Sequence, residues 1–153
     1  MKQYLNLIQD VLKNGKKKSD PHGIGNIAVC GRMMRFNLDD GFPLITTKSL
    51  KGSWKGMIAE LLWFLSGSTN VADLHKFGVH FWDQWATENI RTPLGLPEGE
   101  LGPIYGRQWR AFNGGGRETV DQITRLIMDL KYNPDSRRHV VTSWNPVDAD
   151  RVF

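Results

Sequence analysis

Cysteine is almost missing from these 153 residues: Cys30 stands alone. One thiol cannot close an internal disulfide or build a cysteine-rich metal centre, so a reducing, cytoplasmic setting is expected rather than an oxidised secreted scaffold. Long apolar runs are missing too. The most apolar stretch, MIAELLWFL at 57–65, is far shorter than the roughly 20 residues a membrane span needs. The opening MKQYLNLIQDVLKNGKKK carries Gln3, Asn6 and Asp10 among its apolar residues, which excludes a signal-peptide core and leaves an amphipathic helix with Tyr4, Ile8, Val11 and Leu12 on one face. Histidine is sparse. No pair among His22, His75, His80 and His139 has the i, i+4 spacing that sets two imidazoles on one helical face, so no metal is expected. A strong charge of one sign is absent as well: 20 Lys+Arg against 16 Asp+Glu gives +4, which suits small anions better than the basic stripe of a duplex-DNA binder.

What is present suffices for one domain, since 40% of the residues are hydrophobic and domains commonly run to roughly 100–200 residues. After the first helix, NGKKKSDPHGIG is a basic loop broken by Pro21 and glycines. Residues 26–38 alternate, with Ile27 and Val29 on one parity and Met34, Phe36 and Leu38 on the other, which predicts strand with a bulge at Gly31. A turn and short strand follow in DDGFPLITTK, then a helix over 54–67 ending at Gly67, and a second over 70–77. Residues 81–88 read as another short helix, and the Pro- and Gly-rich IRTPLGLPEGELGPIYG as a surface loop. The spacing of Val120, Ile123, Ile127 and Leu130 predicts a helix over 118–132 with those residues buried, stopped by Asn133 and Pro134. RHVVTSW then reads as a strand.

Several motifs carry chemistry or imitate it. GIGNIA at 23–28 fits a loose dinucleotide fingerprint, but it precedes a strand instead of following one, so its glycines make a turn. Cys30 lies in an apolar, strand-like pattern and is expected to be a small buried hydrophobe, with no activating base nearby. Glu60 has Met57 one helical turn before it and Phe64 one turn after; desolvation there would raise its pKa toward the range of a general acid or base, while a purely structural ion pair or backbone contact is the other reading. FWDQW sets Trp82 and Trp85 three residues apart, which serves either core packing or a wall for a flat heteroaromatic ligand. Arg137 and Arg138 are adjacent. On a strand they would face opposite ways, whereas at a turn both guanidinium groups can converge on one phosphate; a solvated pair is the alternative.

MRFNLDDGFPLITTK, AELLWFLSGSTNVADLH, WDQWA, LGPIYGRQWRAF, DQITRLIMDLK and NPDSRRHVVTSWN occur in an order that closely resembles the N-terminal portion of the thymidylate synthase family, which methylates deoxyuridylate with methylenetetrahydrofolate. The resemblance covers most of the chain. It implies an α+β fold, a mixed β-sheet covered by helices and incomplete at the C-terminus, working as a homodimer. It makes Arg137 and Arg138 phosphate ligands that reach across the dimer interface, Glu60 an organiser of water and proton transfers, and Tyr105 a participant in proton removal from the pyrimidine. Trp82 and Trp85 would line the folate pocket, and Asn145 would follow the strand leading toward the nucleophile.

Departures from the family pattern carry expectations of their own. Pro21 stands where the family has a phosphate-binding arginine, and SLKGSWKG replaces an arginine and a histidine near the folate, leaving Lys51 and Lys55 as the basic residues there. The family's nucleophilic cysteine, in a Pro-Cys-His motif, has no counterpart before Phe153. The chain is therefore expected to be a fragment, a split half or a truncated relative, inactive alone, with an unpaired strand edge and uncovered apolar surface. A pyrimidine-nucleotide hydroxymethylase of the same fold is the nearest alternative, and a non-catalytic nucleotide or nucleic-acid binding module is the alternative of another class.

Overall fold

A computed structural model describes residues 1–19, 23–116 and 118–151, so Pro21 and His22 lie outside the described residues. The chain divides into two compact units, residues 1–51 and 52–153. Among the described residues the elements are mostly helices with one small antiparallel pair of strands, which is consistent with an α+β chain.

In the N-terminal unit, α1 (Lys2–Asn14) turns Tyr4, Leu7 and Val11 to its half-buried side. Strand β1 (Lys16–Lys18) pairs antiparallel with β2 (Asn26–Ala28) in the register Lys16 to Ala28, Lys17 to Ile27 and Lys18 to Asn26. The expected strand over 26–38 stops there. Gly31 adopts a left-handed conformation (φ 53°), and the Arg32 guanidinium donates to the carbonyl oxygens of Cys30 and Gly31 at 2.8 and 3.1 Å while pairing with Asp10. These carbonyls are thus claimed by a side chain instead of a neighbouring strand, and a strand without a ladder partner has nothing to hold it. Cys30 is exposed, which overturns its expected burial. DDGFPLITTK likewise forms no strand: Leu38–Asp40 is a 3-10 turn capped by Asn37, and the rest is irregular.

In the C-terminal unit, α2 (Trp54–Ser66) forms where predicted, and left-handed Gly67 (φ 81°) ends it by donating to the Phe64 carbonyl at 3.0 Å. It buries Ala59 and Trp63, whereas Met57, Ile58, Leu61 and Leu62 are exposed. Asn70 caps α3 (Val71–His75) by accepting from the Ala72 amide at 2.9 Å. The expected 81–88 helix is instead a 3-10 turn at Asp83–Trp85 followed by α4 (Glu88–Arg91). The segment read as surface loop runs inward: Leu101 and Ile104 join Ala59, Trp63, Val71, Leu74 and Val79 in the core, and α5 (Tyr105–Ala111) starts within it. Gly106 lets α5 lie directly on α2, because a Cβ there would meet the carbonyl oxygens of Ser68 and Phe64 at 2.9 and 3.0 Å.

Helix α6 (Gln122–Tyr132) starts later than expected, at the cap Asp121. Burial would raise the pKa of that carboxyl, but the Thr124 amide and hydroxyl and the Arg110 guanidinium outweigh burial and hold it below the usual value. The predicted buried face is displaced. Val120, Ile127 and Leu130 are exposed, and the half-buried side consists of Gln122, Ile123, Leu126 and Asp129. The last expected strand, RHVVTSW, makes no ladder. Its Thr142 pairs instead with the Gln122 side chain, which accepts from the Thr142 amide at 3.0 Å and donates to its carbonyl at 2.8 Å, just as a neighbouring strand would.

Candidate functional site

Glu60 sits midway along α2, on the turn before Phe64, and is half buried. The Trp82 indole N–H donates to Glu60 Oε1 at 2.6 Å, which fixes the carboxylate by a charge-assisted hydrogen bond. Of the two readings of Glu60, the structural one named an arginine or a backbone amide as partner; the partner here is an indole. Trp82 also packs on Trp63 and Phe64, with ring centroids 5.8 and 5.9 Å away, and Tyr105 meets Phe64 edge-on at 5.1 Å and Trp82 at 6.3 Å. Core helix α2, the 3-10 turn and the first residue of α5 therefore bring the acid, an indole and the phenol together.

Beside this cluster opens a cavity of about 360 Å³ walled by Trp82, Tyr105, Pro103, Ser143, Trp144 and Asn145. Its floor is a buried network of amides. Asn145, 4% exposed, donates through Nδ2 to Gln108 Oε1 (3.1 Å), the Asn113 carbonyl (2.8 Å) and Asp148 Oδ2 (3.0 Å). Gln108, 2% exposed, donates to the Pro103 carbonyl and to the same Asp148 oxygen at 2.8 and 2.9 Å. Gln122 ties the Gln108 carbonyl to Thr142, and the Trp109 indole donates to Ser143 Oγ at 2.7 Å. Residues 142–148, of which Ser143, Trp144, Asn145 and Asp148 line the cavity, are thus fastened by side chains, which is how a segment without a sheet keeps its place.

Trp85 ends the 3-10 turn and is not among the walls of that cavity. Arg137 and Arg138 stand at a turn, where Ser136 Oγ accepts from the Arg138 amide at 3.1 Å. They line a separate cleft of about 360 Å³ with Arg125, Asp129 and Val140. The structure thus unites Glu60, Trp82 and Tyr105, and keeps both arginines apart from them. Neither guanidinium has a hydrogen bond or ion pair among the described residues. The three cationic side chains around one concavity favour an anion there.

Gln108, Gln122 and Asp148 escaped the reading of the sequence. One signal was available: Gln108 lies one helical turn after buried Ile104, a core-facing position where an amide must find buried partners.

An α+β chain that sets a carboxylate, a phenol and an indole beside a cavity with a hydrogen-bonded polar floor has the make-up of an enzyme acting on small molecules. A family model described as Thymidylate synthase matches residues 2–153, and the chain belongs to the thymidylate synthase family. It is accordingly a member of a methyltransferase-type family of nucleotide biosynthesis.

Proposed function

We propose that the chain supplies the nucleotide- and folate-handling parts of a thymidylate synthase, which methylates deoxyuridylate to thymidylate using methylenetetrahydrofolate. The observation that carries this reading is the hydrogen bond from Trp82 to Glu60 next to Tyr105, with Trp82 and Tyr105 lining a cavity that Asn145 also lines. Aromatic faces over a polar floor suit a flat heterocycle. The folate supplies the one-carbon unit and the reducing hydride when bound. Trp82 would provide its stacking wall in this cavity, and Trp85, next along the same turn but outside the cavity's walls, would contact the folate beyond it. Glu60, oriented by the indole, and Tyr105 would hold and move protons at the pyrimidine.

Arg137 and Arg138 would grip the nucleotide's phosphate. Their cleft is separate from the cavity on the same chain, which supports a composite site in a homodimer, each arginine pair serving the partner's cavity. No step of this scheme draws on a metal. Residues 1–153 do not turn over by themselves in this scheme, because ring activation needs a thiolate. The only thiol they contain, Cys30, is exposed in the N-terminal unit.

The test is a titration of indole fluorescence with a folate analogue in the presence of deoxyuridylate. Saturable quenching is expected, weakened by about 1 kcal/mol in Trp82→Phe. Binding that is indifferent to this substitution would count against the cavity as the folate site.

A further inference from the structure

Outside this cavity, among the described residues, His75, His80 and Asp83 form an organised cluster of ligating side chains. His75 Nε2 lies 2.7 Å from Asp83 Oδ1, and His80 Nδ1 lies 3.1 Å from Asp83 Oδ2. The two imidazole rings stack at 4.5 Å with an interplanar angle of 26°, so each offers one nitrogen toward the same carboxylate. The ligand atoms all lie within 4.8 Å of one another.

We propose that His75, His80 and Asp83 form a binding site for a divalent transition-metal ion of the zinc class. Two imidazoles and one carboxylate are a donor set such ions favour, with further positions open to water. Zinc to nitrogen bonds of about 2.0 Å in a tetrahedron put ligand atoms about 3.3 Å apart. The present spacing reaches this by small side-chain rotations, which the 62% exposed His80 side chain and the 38% exposed His75 side chain allow. The ion would replace the two contacts that the carboxylate now makes to the rings.

The backbone carrying these ligands is fixed. Each follows a residue anchored in the unit: His75 follows fully buried Leu74, His80 follows buried Val79, and Asp83 follows Trp82, held by Glu60. The intervening loop is closed by backbone hydrogen bonds from Gly78 to the His75 carbonyl (2.9 Å), from Val79 to the Leu74 carbonyl (3.2 Å) and from Asp83 to the His80 carbonyl (3.1 Å), with Gly78 left-handed at φ 68°. Such pre-ordering lowers the entropy a metal must overcome. The sequence rule for paired histidines misses this arrangement because it tests ligands on one helix, whereas here a glycine turn folds the second histidine back over the first. The site is independent of the proposed methyl-transfer chemistry, and it adjoins the indole turn through the peptide joining Trp82 to Asp83.

Untagged chain, freed of metal by chelator, is titrated with zinc chloride by calorimetry and with cobalt(II) by visible absorption. One equivalent of zinc is expected, with cobalt giving the intense bands of a four- or five-coordinate site. His80→Ala and Asp83→Asn are each expected to weaken binding at least tenfold and to reduce the cobalt bands. His80→Gln serves as a second variant, and circular dichroism checks that every variant keeps its helices. No saturable zinc binding, or binding of unchanged strength in well-folded His80→Ala or His80→Gln chain, would overturn the proposal.

Discussion

Replacing Gln122 with alanine removes three hydrogen bonds at once: those donated to the Gln108 and Thr142 carbonyls at 2.8 Å each, and the one accepted from the Thr142 amide at 3.0 Å. A neutral hydrogen bond contributes about 1 kcal/mol net, and the three backbone groups here are only partly reached by water, so the loss should total about 2–3 kcal/mol. For a chain of this length that corresponds to a melting point lower by roughly 4–12 °C. The damage should be local first, because residues 142–145 have no ladder to fall back on and 143–145 form one wall of the cavity. Gln122→Glu sharpens the test: a carboxylate keeps the bond from the Thr142 amide but turns an acceptor toward two carbonyl oxygens, so it should be at least as harmful. Urea unfolding followed by circular dichroism gives the stability, and amide exchange at Thr142 gives the local opening. A loss below about 0.5 kcal/mol in both variants, with Thr142 exchange unchanged, would refute the idea that this side chain stands in for a strand.

Two further substitutions test the packing and the electrostatics. Gly106→Ala pushes a methyl group against the backbone carbonyls of Phe64 and Ser68 and should cost about 1–3 kcal/mol in urea unfolding, where a helix-interior glycine in open space would gain from alanine. Asp121→Ala removes the cap of α6 and its pairing with Arg110, for about 1 kcal/mol. Because the folded-state pKa of Asp121 lies below its unfolded value, its contribution is present above pH ~4 and is lost as pH falls through the folded pKa. The stability difference between wild type and Asp121→Ala should therefore shrink on acidification, and a gap that stays constant down to the lowest pH at which the chain is folded would contradict this.

Helix α2 and its stop at Gly67 were legible because apolar periodicity and a left-handed glycine are local signals. The cap of α6 was legible in hindsight only, since Asp121 lies inside a span whose periodicity already looked helical. Its buried face was misread for a physical reason: Gln122, not Val120, faces the interior because it bonds Thr142 and Gln108. The segments 29–38 and 138–144 have strand-like composition, yet pairing is a non-local property that no alternation pattern contains. Among the candidate site residues, Glu60 and Trp82 stood out by type and neighbourhood, each with a purely structural reading beside the functional one, whereas Tyr105 entered only through the family resemblance. The amide of Gln108 did not stand out, because its partners Asn145 and Asp148 are far along the chain.

The central claim is that Arg137 and Arg138 receive the phosphate of the nucleotide whose ring occupies the aromatic cavity. Calorimetric titration of wild-type and Arg137→Ala/Arg138→Ala chains with deoxyuridylate and with deoxyuridine isolates that contact. Wild type should prefer the nucleotide by about 2–3 kcal/mol, as charged hydrogen bonds allow, and the double variant should bind both compounds with the affinity wild type shows for the nucleoside. A double variant that still prefers the nucleotide by the wild-type margin would contradict the account.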